Sequence, residues 1–243
     1  MSSSHEAKLG MRHALLVFTA PASLFRRVED TGAYGGALAA LLLLVTLLGY
    51  LQFQTGLIDR LVDVETEREL SQVESAQTDL VDRLELKQKI EDARKQGEFK
   101  KVLSKITVIG LNPVLMLGSL LLIASFLYAV VALLGRKPEY HTLMSICVYA
   151  AFIELVAMGL QLGMMVHYRS MDMDTSLRIL GEGVSATILG AVDPFRIWFW
   201  ILVTMGLVVT EQLSRRAAII TGTVMCLGSV GIHVAIGIST RSA

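Results

Sequence analysis

Glu154, in YAAFIELVAMG, and His233, in GSVGIHVAIG, are single ionisable residues inside long apolar stretches. A charged carboxylate at the centre of a bilayer costs on the order of 2.5–3.5 kcal/mol, so such groups pair, neutralise or serve a pathway. A Glu154–His233 pair could relay protons or hold a polar substrate. Position along the stretches weakens that pairing, because Glu154 falls near mid-depth and His233 closer to the outer face. The structural alternative is an interhelical hydrogen bond.

Met164, Met165, His167, Met171 and Met173 form a second cluster, whose sulfur and imidazole donors would suit copper(I). Methionine is equally an ordinary gap filler in apolar packing. Cys147 and Cys226 are isolated thiols inside apolar stretches and match neither a zinc site nor a disulfide framework. The chain lacks a phosphate loop, a dinucleotide fingerprint, an HExxH motif and a serine elbow. The expectation is no catalysis, no cofactor and no resident metal. A third cluster, DPFRIWFW at 193–200, combines an acid, a proline, an arginine and three aromatics. Asp193 suits a helix N-cap and Pro194 the first helical position. Arg196 can snorkel toward phosphates, while Trp198 and Trp200 suit interfacial depth, so the stretch reads as a set of membrane-interface anchors rather than a ligand pocket.

These residues need elements to position them, and composition says which. The 243 residues are 53% hydrophobic with mean hydropathy +0.57, above the range of soluble proteins. Formal net charge is zero, so no global field points to nucleic acid. The expected fold is an all-α integral membrane protein with five transmembrane helices and a charged helical excursion between the first and second. Its parts are a cytoplasmic N-terminal segment 1–33, a first span 34–58 and an extracytoplasmic arm 59–105. An interfacial run and second span occupy 106–135, a third span 143–168, a loop 169–193, a fourth span 194–212 and a fifth 217–240. Residues 34–240 together make one membrane domain. Lys8, Arg12 and His13 before ALLVFTA mimic a signal peptide, but Arg26 and Arg27 follow, so the segment is expected to stay uncleaved. With Arg136, Lys137, Arg215 and Arg216, these cations place the N-terminus in the cytoplasm and the C-terminus outside.

Two dipeptides, Asn112-Pro113 and Asp193-Pro194, look like matching helix starts. Small residues recur every fourth position at Gly32, Gly36 and Ala40, and again at Gly231, Ala235 and Ser239, as in close helix contacts within one chain or between two copies. The arm is rich in helix formers, and Leu70, Val73, Leu80 and Leu84 fall at helical spacing. It reads either as a solvated hairpin resting on the membrane surface or as a docking arm for a partner.

Three stretches resemble the Yip domain family, multi-pass proteins named for Ypt/Rab GTPase interaction. They are FTAPASLFRRVEDTGAYGGALAALLLLV, HTLMSICVYAAFIELVAMGLQL and AVDPFRIWFWILVTMGLVVTEQLSRRAAIITGTV. Family members often carry a proline near the middle of the third span, where this chain has Phe152, Ile153 and Glu154. The resemblance implies five helices and an adaptor or organiser of membrane complexes. The short N-terminal segment is similar to that of bacterial members, which implies the bacterial inner membrane and an association with export machinery. The partners expected are the lipid bilayer and other membrane proteins, an ABC-type exporter or a second copy among them.

Overall fold

The computed structural model describes residues 15–31, 34–56, 59–60, 62–64, 66–68, 71, 83–168, 175–176, 189–190 and 192–242. The described residues are helical with no strand. In chain order the helices are α1 (Leu16–Thr19), α2 (Pro21–Thr31), α3 (Gly35–Gln54), α4 (Arg83–Ile106), α5 (Asn112–Leu133), α6 (Tyr140–Ala150), α7 (Phe152–Tyr168), α8 (Pro194–Val209) and α9 (Arg215–Ser242). Three helical runs are long and apolar enough to cross a membrane: Gly35–Gln54, Ile90–Leu133 and Tyr140–Tyr168. Pro194–Val209 is a shorter apolar helix.

Helix α6 is the centre. Every residue from Thr142 to Ile153 is buried, as expected of a helix that is apolar on all sides. Its polar residues are satisfied locally: Thr142 Oγ1 donates to Glu139 at 3.1 Å and Ser145 Oγ to the His141 carbonyl at 2.8 Å. Around it, α3 presents Ala37, Leu41, Val45 and Gly49, and α5 presents Leu120, Ala124, Leu127 and Val131. The N-terminal α2 also joins this core through Leu24, Phe25 and Val28, while Arg26 and Arg27 stay exposed.

Helix direction alternates. Tyr34 pairs with His141 at one end of α3, with ring centroids 6.0 Å apart, and Leu48 and Gln52 meet Met158 and Leu162 at the other, so α3 runs parallel to α6–α7. Helix α8 runs the other way, because Glu139 N–H donates to Gln212 Oε1 at 3.2 Å while Gly206 faces Ile146. The α5–α6 turn closes on Gly135 (φ 74°), whose N–H bonds the Ala132 carbonyl as Arg136 N–H bonds Val131. This double closure needs the left-handed conformation that glycine adopts freely.

One expectation fails here for a physical reason. Asn112 does not cap a helix start. It has helical dihedrals, and its N–H reaches back to the Thr107 carbonyl across a π turn, Thr107–Leu111, that joins α4 to α5. Pro113 has no N–H and its ring would press on the carbonyl one turn earlier; the wider π turn makes room, so the helix continues through it. The third span is interrupted at Ala151 without any proline. Glu154 N–H there bonds the Ala151 carbonyl three residues back at 3.0 Å, a tightened turn that divides α6 from α7.

Candidate functional site

The polar groups collect toward the end of the bundle that carries α4, where α3 ends and α8 begins. Asp193 is the N-cap of α8: its Oδ1 accepts from Phe195 N–H at 2.9 Å and its Oδ2 from Thr175 Oγ1 at 3.1 Å. Pro194 follows at the first helical position, where the missing N–H costs nothing. Arg196 stands one turn further on, near both Glu154 and Cys226. Glu154 therefore lies, half-buried in the first turn of α7, at the level where α8 begins. Asp193 and Arg196 are the charged groups nearby, and among the described residues it makes no ion pair.

His233 lies in α9, but its side chain is outside the described residues. It is seven residues beyond Cys226, which is about 10 Å of helix further along than the level of Arg196. Trp198 is 41% exposed, whereas Trp200 is 6% exposed and packs edge-on against Phe199 at 5.1 Å. Only the first indole has surface to offer to lipid. Trp200 instead helps line an apolar groove of about 340 Å³ between α8 and α9, with Ile197, Thr204 and Cys226.

Of the small residues, Gly32 lies outside the described residues, and a side chain at Gly36 or Gly231 would meet nothing within 4 Å. Ala235 is exposed on α9. The close approaches fall on other glycines. A Cβ at Gly49 would come within 2.6 Å of the Val108 carbonyl oxygen, one at Gly206 within 2.5 Å of Ile146, and one at Gly222 would collide with Thr204. On α3 the buried seam is Ala37–Leu41–Val45–Gly49, one residue away from the Gly36–Ala40 series.

The methionine cluster does not converge in its described part: Met165 is buried, His167 is exposed against Tyr168, and Met171 and Met173 lie outside the described residues. Met165 lines a separate feature that sequence reading missed. Gln52 from α3, Asn112 from α5 and Gln161 from α7 border a cavity of about 130 Å³ beside the π turn. Three carboxamides in an otherwise apolar bundle can hold a small cluster of waters. Each is unremarkable in sequence, and only the helix register brings them together. Tyr149 was missed as well: it is fully buried and its hydroxyl finds no partner among the described residues.

Comparison with known proteins adds one match. The family model for the Yip1 domain covers residues 15–236, nearly the whole chain. No curated protein matches, and no solved structure matches. On this coverage the chain belongs to the Yip1 domain family.

Proposed function

We propose that the protein is a five-span scaffold or accessory subunit of a bacterial inner-membrane complex, without catalysis of its own. In this reading the N-terminus is cytoplasmic, the C-terminus is outside, and α4 with the segment before it forms an extracytoplasmic arm. The observation that carries the reading is the Yip1 match across residues 15–236, which makes the whole apolar bundle a family membrane domain. The arm supports it. Lys105 pairs with Asp59 at 2.8 Å and Lys101 with Asp63 at 2.5 Å, while Gly97 lets Thr66 approach closely. Those contacts fold the described residues between Asp59 and Thr66 antiparallel onto α4 and give the bundle a projection on which other membrane proteins can assemble. Export machinery, an ABC-type exporter or a second copy are the partners to look for. The test is purification from native membranes in several mild detergents. Other membrane proteins should co-purify, and recovery of the chain alone in every detergent would sink the reading.

One observation favours a second reading, a small proton- or ion-coupled transporter. Glu154 is half-buried at the level of Asp193 and Arg196, an arrangement from which a proton could be exchanged. It requires a pH-dependent flux in proteoliposomes that Glu154→Gln abolishes. A variant that matches the parent removes its basis.

A further inference from the structure

Helix α4 turns its charged side inward and leaves its apolar side bare. The seam with residues 59–66 is made by Lys101, Lys105 and the Gly97–Thr66 contact. Opposite that seam, Phe99, Val102, Leu103 and Ile106 are 51–67% exposed. Their spacing puts them on one face of the helix, and an apolar stripe of this kind normally has a cover.

The π turn indicates what the cover is. In an uninterrupted α-helix, the residue four beyond Ile106 continues its face, and that residue is Gly110. Within a π turn the step is five, which leads to Leu111 instead. From Leu111 the face continues at helical spacing through Leu115, Leu122 and Phe126, all 44–73% exposed. The extra residue thus brings the stripe on α4 into line with the outward face of α5. That face belongs to a helical run long and apolar enough to cross a membrane, so lipid covers it.

Depth agrees. Aromatic residues gather at two levels, Tyr34, Tyr128 and Tyr140 at one end and Tyr50 and Phe53 at the other. Tyr34 and Phe53 are 19 residues apart in sequence, about 28 Å of helix, which matches a hydrocarbon core of about 30 Å. Lys105 lies 5.0 Å over the Phe53 ring, so Ile106 is level with the edge of the core. Val102 and Leu103 then stand about 5–6 Å above it, inside a headgroup layer roughly 5–8 Å deep, and Phe99 about 10 Å, just past its rim.

We propose that the Phe99–Ile106 face of α4 is seated in the headgroup layer of the bilayer, with lipid as its occupant, and that the π turn sets the rotation that puts it there. The seating fixes the base of the arm at the membrane and leaves its charged seam and far end clear. It does not depend on the accessory-subunit reading, since a transporter would carry the same surface.

The test uses the full chain in vesicles of phosphatidylethanolamine and phosphatidylglycerol, with Cys226→Ala in the background and buried Cys147 retained. Spin labels are attached after Phe99→Cys, Leu103→Cys and Ile106→Cys, and at the flanks after Glu98→Cys and Lys100→Cys. Labels on the stripe should favour oxygen over a water-soluble nickel reagent several-fold relative to the flanks. Equal nickel access at stripe and flanks would overturn the proposal by placing the stripe in water. Exclusion of both reagents from the stripe would overturn it by placing a protein there, whether a second copy or another chain. Hydroxyl-radical footprinting of the unsubstituted chain in the same vesicles gives an independent readout. Phe99 and Leu103 should be protected there to the same degree as Leu115, and oxidation at the rate of a free side chain counts against the seating.

Discussion

At Gly49 a hydrogen stands where any other residue would put a carbon 2.6 Å from the Val108 carbonyl oxygen. Glycine inside a helix costs about 1 kcal/mol relative to alanine, so Gly49→Ala would gain that much if the space were open. The neighbour is backbone, however, and cannot rotate aside like a side-chain tip. Overpacking of this kind costs typically about 1–3 kcal/mol, which outweighs the propensity gain. Gly49→Ala should therefore lower the unfolding temperature in detergent, and an unchanged or higher value would show that α3 and the π turn separate easily. Tyr149 makes the opposite case. Its hydroxyl is buried without a partner among the described residues, and an unmet buried hydroxyl costs about 1–3 kcal/mol. Tyr149→Phe keeps the ring beside Phe152, 6.4 Å between centroids, and removes the unmet group. It should raise the same unfolding temperature; a fall would mean that a ligand or water satisfies the hydroxyl in the membrane.

Among the elements, the hairpin carries a pH dependence whose sign follows from Lys101. The hydrogen bond to Asp63 holds its ammonium above the ordinary lysine range, with the carboxylates of Asp63 and Asp59 adding to the effect. A raised pKa means that the contribution is complete below the unfolded lysine value, about 10.4, and is lost as pH climbs through the folded one. Exchange protection at residues 59–60 and 62–64, corrected for the base-catalysed intrinsic rate, should thus stay level through neutral pH and fall only in strong alkali; in Lys101→Met it should start lower and lack that step. Protection that falls near neutrality would show that another group holds the hairpin. The two proline dipeptides show how far elements can be read from sequence. At Asp193-Pro194 the cap is local, and the carboxylate accepts Phe195 N–H as the residue types suggest. Asn112-Pro113 carries the same local signal, yet helical chain arrives from Arg83, and the π turn absorbs the proline. Residue type announces that a cap can form; the segment upstream decides whether one is needed. The carboxamides of Gln52, Asn112 and Gln161 were illegible for a related reason, since their meeting depends on the register of three helices.

For the whole molecule, the alternation of helix directions places the chain's turns at two ends. Glu139 N–H donates to Gln212 Oε1, which ties the α5–α6 turn directly to the α8–α9 turn. The other end holds the Asp193 cap, the end of α3 and the hairpin, with Lys105 over Phe53 marking the level at which α4 leaves the bundle. A core of about 30 Å separates these ends, because α3 is 20 residues long and nothing in it is charged. Arg136, Lys137, Arg215 and Arg216 all belong to the first end, so that end should face the cytoplasm. Single cysteines give the test, in a background with Cys226→Ala and an impermeant maleimide applied to cells whose outer barrier is opened. Glu98→Cys, on the hairpin, should react in intact cells, whereas Arg136→Cys and Ser214→Cys should react only after the inner membrane is permeabilised. Reversed reactivity would invert the orientation while keeping the register. Reaction of all three from one side would contradict the register itself, because no membrane could then separate the Glu139–Gln212 contact from the arm.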